Sequence, residues 1–225
     1  MNTVGQAPVL RRHLPVVEPW SGLDPITQDG INVVHVARPV ALEDELVPWL
    51  AATTSTGWEW SGAPESLVGT ALDTLLEALP PRTRVVAGRD VPELARRIAL
   101  YTHRKHVRVR FDVVRTDSCR KFHQDYVALR LLVTYAGAGT EWVDDGDVVR
   151  SELGRVDVPL GEANARIVPD CRAIRRASAG DVLVLKGASF PRNEHRGAVH
   201  RSPPIETAPG HARLVLRIDV ASCSC

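Results

Sequence analysis

The pattern of hydrophobic and polar positions divides the chain into a helical part followed by a part made of strands. Leu42, Leu46 and Leu50 recur at spacing four, which predicts a helix over residues 41–51 that Pro48 breaks near its end. A second apolar stripe predicts a helix over residues 65–79, and its members are Val68, Leu72, Leu75, Leu76 and Leu79.

A third helix is predicted to begin at Asp90. Asp90 and Glu93 have the spacing of a capping box, with Pro92 in the first turn. The residues that follow place their apolar members on one face: Val91, Leu94, Ile98 and Tyr101.

The period changes from helical to alternating at residue 106. Residues 107–113 alternate Val or Phe with Arg or Asp, which predicts a half-buried strand. Residues 127–135 are apolar enough for a strand covered on both faces, and residues 144–178 are turn-rich, which predicts a long loop region with short strands. Other predicted strands cover residues 31–36, 140–143, 181–186 and 213–220.

The order of these elements predicts the fold class. Helices come first and strands follow without βαβ alternation, which is typical of an α+β protein with helices packed outside an antiparallel barrel or sandwich. We expect four regions: an extended segment (1–30), a helical region packing on the barrel (31–104), a metal-binding barrel core (105–221) and a Cys-containing tail (222–225).

Charge and composition narrow the functional classes. The formal net charge is +1, from 28 basic and 27 acidic residues, which argues against nucleic-acid or membrane partners. The first residues do not resemble a secretory signal, and no apolar stretch approaches the roughly 20 residues that span a bilayer, so we expect a cytoplasmic protein. Its four cysteines, among them Cys223 and Cys225 of the tail, are then expected to be reduced thiols.

His123, Asp125 and His200 are the candidate metal ligands. The His-x-Asp triplet lies between two predicted strands, so both side chains can point the same way, and His200 follows the strand over 181–186 after a short loop. Two imidazoles and one carboxylate form the facial triad of non-haem Fe(II) oxygenases, although zinc accepts the same ligands. Taken alone, the triplet is better explained by a surface histidine beside a carboxylate, and its position between strands favours the metal site.

Arg213 is the candidate anion-binding residue. It opens the last predicted strand, from which an arginine could reach into a barrel and grip a carboxylate through two parallel hydrogen bonds. Arg217 has the same strand parity and is the alternative candidate. Outward, solvated arginines on an edge strand would explain both residues without a ligand.

Together these residues resemble the Fe(II)- and 2-oxoglutarate-dependent oxygenase superfamily, whose pattern is His-x-Asp, a distant His and an Arg on the final strand of a double-stranded β-helix. The stretches Gly-Asp-Val-Leu-Val-Leu-Lys-Gly (180–187) and Ala-Val-His-Arg-Ser-Pro-Pro (198–204) resemble the strand and turn that carry the second histidine. More closely, the chain is similar to a bacterial family catalogued as a domain of unknown function, through Cys-Arg-Lys-Phe-His-Gln-Asp-Tyr (119–126), Leu-Arg-Leu-Leu-Val-Thr-Tyr (129–135) and Gly-Ala-Gly-Thr-Glu-Trp-Val (137–143).

The superfamily resemblance implies a jelly-roll or cupin-like barrel that oxidises an unknown substrate with Fe(II) and 2-oxoglutarate. It implies metal binding by His123, Asp125 and His200 and co-substrate binding by Arg213 or Arg217. Tyr126, Arg130 and Thr134 follow the metal motif and are expected to contact 2-oxoglutarate or to orient a ligand. We expect a small-molecule co-substrate as partner, and the exposed strand edges of a barrel also permit a homodimer.

Two other functions stay open on the sequence. A zinc- or iron-binding accessory protein of metal homeostasis would use Cys119 and the Cys-Ser-Cys tail and would not need Arg213. A metal-dependent hydrolase or isomerase would need a general base near the metal, for which Glu141 is the nearby acid.

For Trp142 the sequence favours core packing over a pocket wall, and His103 and His106 would form a second metal site only on a helix.

Overall fold

The computed structural model describes residues 20–193 and 196–220. Helices dominate the first half of the chain and antiparallel strands the second, which confirms the coarse form of the predicted class. The strands are β1 (Val33–Val36), β2 (Gly57–Gly62), β3 (Val107–Val114), β4 (Leu129–Ala136), β5 (Glu141–Val143), β6 (Arg175–Arg176), β7 (Val182–Lys186), β8 (Val199–Arg201) and β9 (Arg213–Val220). The α-helices of these residues are α1 (Glu43–Ala52), α2 (Thr70–Leu76), α3 (Pro81–Thr102) and α4 (Leu160–Ile167).

The strands form two antiparallel sheets. The large sheet has the order β1-β7-β4-β9-β3-β2, and the small sheet has the order β6-β5-β8. From β3 onward the chain passes repeatedly between them, because β4, β7 and β9 belong to the large sheet and β5, β6 and β8 to the small one. Residues that are close in the sheets are therefore far apart in sequence.

The large sheet buries one face against the helices. Val107, Val109 and Phe111 of β3 are fully buried there, as the alternating pattern predicts, and they share a core with Val91 and Leu94 of α3. Each buried side chain of this size contributes about 1.5–3 kcal/mol to folding. The helices thus close one side of the sheet and leave the other face to the small sheet.

The second face of the large sheet packs partly against the small sheet. Leu132, Leu183 and Val215 of the large sheet contact Trp142 of the small sheet and Ala198. This apolar cluster holds the two sheets together. The polar side chains that share the inner face with it form the candidate site described below.

The helices differ in detail from the prediction. Helix α1 continues through Pro48 to Ala52, so the predicted break near Pro48 is wrong. The helix predicted over 65–79 is shorter, and Val68 from its apolar stripe is 59 % exposed. The predicted helix start at Asp90 is also wrong, because α3 begins at Pro81 and runs through Asp90 and Pro92 without interruption.

The side chain of Asp90 has a tertiary role instead of a capping role. Arg38 donates two hydrogen bonds to its carboxylate at 2.7 and 2.6 Å, and the Tyr135 hydroxyl donates a third at 2.8 Å. Asp90 is 3 % exposed, so these bonds compensate the burial of its charge. They join the segment before α1 to α3 and to β4.

Some elements have no counterpart in the sequence analysis. Helix α4 lies inside the region predicted as loops and short strands, and Trp58 and Trp60 lie on strand β2. A 3-10 helix, Ser21–Thr27, differs from the extended conformation expected for residues 1–30.

Residues 1–19, Glu194, His195 and residues 221–225 lie outside the described residues, so the predictions for the first part of the extended segment and for the tail with Cys223 and Cys225 fall outside them. Over 20–193 and 196–220, no helix has the length and apolar character needed to cross a membrane.

Candidate metal centre

His123 and His200 are direct neighbours across two extended segments. The backbone N–H of each donates to the carbonyl oxygen of the other at 3.0 Å, which makes them an antiparallel pair although 77 residues separate them. Their ring centroids are 4.5 Å apart. The fold thus brings these two distant histidines side by side.

Both imidazoles are oriented by backbone carbonyls. Nδ1 of His123 lies 2.8 Å from the carbonyl oxygen of Lys121, and Nδ1 of His200 lies 3.1 Å from that of Ala198. A carbonyl oxygen only accepts, so each Nδ1 donates a proton to it, and each Nε2 is the ring atom turned toward Asp125. A neutral imidazole held this way is the usual form of a metal-binding histidine.

Asp125 faces both free ring nitrogens. Its Oδ1 is 3.7 Å from Nε2 of His123, and its Oδ2 is 3.2 Å from Nε2 of His200. Its backbone carbonyl accepts from the N–H of Ala188 at 2.8 Å, which ties it to the end of β7. Gly187 allows this approach, because a Cβ there would clash with the carbonyl oxygen of Val127.

The electrostatics favour the metal-binding protonation states of Asp125 and His123. Burial alone would raise the pKa of Asp125, but the hydrogen bond and charge of His200 and the charge of Arg130 hold it well below its usual range. Burial and the neighbouring His200 lower the pKa of His123. At neutral pH the site therefore presents a carboxylate and a neutral His123.

The three side chains offer one donor atom each, all within 4.8 Å of one another. Two imidazole nitrogens and one carboxylate oxygen suit Fe(II) and zinc and leave coordination positions open. Among the described residues, no Cys belongs to this group of candidate ligands, so Cys119 is not brought into it although it lines the same cavity. The chemistry of these three donor atoms thus fits a bound metal ion.

Arg130 fixes the carboxylate of Asp125. Its Nη1 donates to Oδ2 of Asp125 at 2.6 Å, while its Nε and Nη2 donate to Asp219 at 2.7 and 2.8 Å. Burial alone would lower the pKa of Arg130, but Asp219 and Asp125 outweigh it and raise the pKa. Arg130 is therefore a permanently charged clamp between a candidate ligand and β9.

Arg213 is a buried cation without an ionic partner. It is 1 % exposed, and within residues 20–193 and 196–220 it forms no ion pair and its Nε has no hydrogen-bond partner. Its Nη2 donates to Oγ1 of Thr134 at 3.3 Å. Burial lowers the pKa of Arg213 to about 10, so it remains charged at neutral pH.

One cavity of about 440 Å³ joins the histidines to these arginines. His123 and His200 line it together with Arg130, Arg213 and Arg217. Arg217 faces the same cavity, as its parity predicts, but is less enclosed than Arg213 and lies 3.4 Å from Asp112. Thr134 reaches the site through its hydrogen bond with Arg213. Tyr126 is 85 % exposed and does not line the cavity.

The remaining candidates lie elsewhere. Trp142 is buried in the core between the sheets, as expected. Glu141 is 3 % exposed and forms ion pairs with Arg176 and Arg201, which leaves it poorly suited as a general base. Among the described residues, His103, His106 and His211 do not belong to the group of candidate ligands: His103 ends α3 in a left-handed conformation, and His106 and His211 are exposed.

Sequence reasoning did not select several polar residues of the cavity or of its network. Arg110, Asp112 and Asp219 alternate with the buried residues of β3 and β9, and this alternation is the signal that places them on the inner face. Arg201 continues β8 beyond His200, donates to Glu141 at 2.6 Å and lies over the ring of Phe122.

Comparisons with known proteins give a family and distant structural likenesses. The family described as "Protein of unknown function (DUF1826)" matches residues 19–219. No curated protein matches the chain.

Three solved structures illustrate the likenesses. A dioxygenase for auxin oxidation from rice is 11 % identical (TM-score 0.44; 86 % of this chain, 74 % of that one). The Arabidopsis thaliana dioxygenase for auxin oxidation 1, in a complex with 2-oxoglutarate, is 12 % identical (TM-score 0.45; 92 % and 90 %). A Pseudomonas putida prolyl-4-hydroxylase is 11 % identical (TM-score 0.41; 91 % and 98 %).

Proposed function

Since the chain belongs to the DUF1826 family, whose description assigns no activity, we propose from its own residues that it is an Fe(II)- and 2-oxoglutarate-dependent oxygenase that oxidises a small substrate. In this proposal His123, Asp125 and His200 hold the metal. Arg213 binds the carboxylate of the co-substrate farthest from the metal.

The observation that carries the proposal is the buried charge of Arg213 in the cavity that His123 and His200 line. Burying a guanidinium without a carboxylate partner costs several kcal/mol. A ligand that brings a carboxylate to Arg213 gives this costly group a function. A carboxylate that accepts from Nε and an Nη of Arg213 would remove this cost. A protein that only stores metal has no need of such a group.

The strand pairing supports a double-stranded β-helix. When the His123–His200 bridge is counted as a strand, β3, β4, β7 and β9 lie in one sheet, and the His123 segment, β5, β6 and β8 lie in the other. Eight segments that pass in this way between two facing four-stranded sheets have the jelly-roll arrangement. Strands β1 and β2 extend the large sheet at its two edges.

The protein's own groups would prepare the site. Fe(II), when bound, would supply the reaction with O2 that organic side chains cannot perform. The backbone carbonyls of Lys121 and Ala198 keep Nε2 of both histidines available, and Arg130 limits the rotation of Asp125. Arg213 and Thr134 would orient the co-substrate from the buried end of the cavity, where the apolar cluster of the two sheets excludes water.

Anaerobic titration of the metal-free protein with Fe(II) and then 2-oxoglutarate tests this function. We expect a visible charge-transfer absorbance band in the wild type that is lost in His200→Ala and in Arg213→Met. Arg217→Gln is the matched control, because it removes an arginine of the same strand and face and should keep the band.

The absence of a band in the wild type, combined with zinc that survives purification and is lost in His123→Ala, would overturn the oxygenase proposal. That result would favour the alternative of a zinc- or iron-binding accessory protein on the same fold. It would also leave the buried charge of Arg213 without a ligand.

A further inference from the structure

Arg110 and Arg217 are directly opposite each other on neighbouring strands. They are register partners in the pairing of β3 with β9, so both side chains project from the same face of the sheet. Like charges at directly opposed positions destabilise a sheet. An anion between or above the two guanidinium groups relieves this repulsion.

The carboxylates nearby compensate this pair incompletely. Asp112 lies 2.5 Å from Nε of Arg110, and Glu59 lies 3.8 Å from its Nη1, but Asp112 is 3.4 Å from Nη2 of Arg217. Asp219 lies 3.7 Å from Nε of Arg217, and it already accepts two hydrogen bonds from Arg130. In the described part of the chain, Arg217 has no other ionic partner and donates no hydrogen bond at standard geometry.

The pair lies in the same cavity as the candidate metal ligands. Arg110 and Arg217 line its wall with His123 and His200, and their side chains are 41 % and 29 % exposed. Arg115 lines the cavity as well and donates to backbone carbonyls, among them that of Leu50 at 2.6 Å, and none of the described carboxylates forms an ion pair with it. This wall is thus more open than the pocket of Arg213 and carries an excess of positive charge.

We propose that Arg110 and Arg217 bind an oxyanion group, carboxylate or phosphate, of the primary substrate. The inference rests on the proposed function, and it assigns Arg213 to the co-substrate and the opposed pair to the molecule that is oxidised. The substrate is then a small organic acid or phosphate ester, held by its anionic end while its remaining part extends toward His123 and His200.

Calorimetric titration of the full chain tests the pair. The protein is loaded with Zn(II) and saturated with N-oxalylglycine, an unreactive analogue of 2-oxoglutarate, so that Arg213 is occupied. Benzoate and phenyl phosphate are the anionic probes, and benzamide, the uncharged counterpart of benzoate, is the control. We expect at least one anion to bind tenfold or more tightly than benzamide, and the stronger of the two to identify the oxyanion.

Substitutions of the two arginines show whether the anionic probes bind to this pair. Arg110→Gln and Arg217→Gln are each expected to weaken the anion by about tenfold or more, the effect of losing a hydrogen bond to a charged group. Arg108→Gln is the matched control, since Arg108 lies on the same strand and face but outside the cavity, and it should leave affinity unchanged. Arg217→Lys keeps the charge and should fall between wild type and Arg217→Gln.

Three results would overturn the proposal: no anion that binds better than benzamide, equal anion binding in Arg110→Gln and wild type, or an equal loss in Arg108→Gln. Failure of the proposed function is a separate result. If N-oxalylglycine does not bind, the probes are titrated into the Zn(II) protein alone, and the same comparison of variants decides the role of the pair.

Discussion

Arg213 destabilises the ligand-free protein in which it is buried. Replacing it with Met keeps most of the volume and removes an uncompensated charge, at the loss of one hydrogen bond to Thr134. Burial lowers the pKa of Arg213 from its ordinary value to about 10, which corresponds to roughly 3 kcal/mol of penalty on the charged form. We therefore expect Arg213→Met to raise the free energy of unfolding by about 1–3 kcal/mol in urea titrations without ligand.

The pH dependence of that gain has a definite sign. A cation whose pKa is lowered in the folded state is charged in both states at every pH below about 10, so its penalty is fully present there. The penalty declines only as the pH rises from about 10 toward the ordinary pKa of an arginine. The gain in the free energy of unfolding from Arg213→Met should thus be constant across neutral pH. If Arg213→Met is less stable than wild type, Arg213 has a stabilising partner in the folded protein and the prediction is wrong.

Arg130 holds the carboxylate of Asp125 in its orientation toward the candidate metal site. We expect Arg130→Met to reduce metal affinity by about 10–100-fold, because residues that orient a ligand have effects of this size. Asp219→Asn weakens the other ion pair of Arg130 and should reduce metal affinity by a smaller factor. Competition with a chromogenic zinc chelator measures both, and unchanged affinity in Arg130→Met would show that the backbone alone orients Asp125.

At the scale of elements, the turn between β4 and β5 shapes the pocket of Arg213. Gly137 has φ +86°, and a Cβ there would lie 2.8 Å from Cγ of Arg213 and 2.9 Å from the carbonyl oxygen of Ala212. Gly137→Ala should destabilise the fold by about 1–3 kcal/mol and weaken 2-oxoglutarate binding while metal affinity is kept. Gly210→Ala is the control, since Gly210 also has a positive φ (+64°) but open space around it, and it should leave 2-oxoglutarate affinity unchanged.

The carboxylate of Asp90 connects three elements, so its loss should be costly. Asp90→Asn leaves the Arg38 guanidinium without its bidentate partner, and we expect a loss of about 3–5 kcal/mol in the free energy of unfolding. Glu93→Gln, three residues along α3, removes more exposed ion pairs with Arg96 and Arg97 and should cost under about 1 kcal/mol. Similar losses in the two variants would refute the central role of Asp90.

At the scale of the whole molecule, metal binding should stabilise the fold, because the ligands come from segments far apart in sequence. At a free Zn(II) concentration about 100 times Kd, the expected gain is about 2.7 kcal/mol. Thermal unfolding should show a higher Tm with Zn(II) in wild type and no shift in His123→Ala or Asp125→Ala. His106→Ala, which changes an exposed histidine outside the site, should behave as wild type.

Local patterns predicted much of the fold but not its pairings. The alternation over 107–113 and the apolar run over 213–220 correspond to β3 and β9, because one buried face imposes a period of two on a strand. Asp90 was misassigned because a carboxylate three residues before Glu93 has the spacing of a cap, whereas its partners Arg38 and Tyr135 are distant in sequence.

The same limit applies to the site. The His-x-Asp motif, the distant histidine and the final arginine were identified by residue type and spacing. The opposition of Arg110 and Arg217 and the clamp of Arg130 depend on the register of β9 between β3 and β4, which no local pattern encodes.

The position of β9 has a consequence for biosynthesis. This strand is the last one described along the chain, yet it lies between β4 and β3 in the interior of the large sheet. During translation, β3 and β4 therefore have no mutual edge to join until residue 220 has left the ribosome. Such late, non-local pairing is slow, so β3 can pair with β2 and β4 with β7 during synthesis, while the edge of each strand that faces β9 stays open to the end.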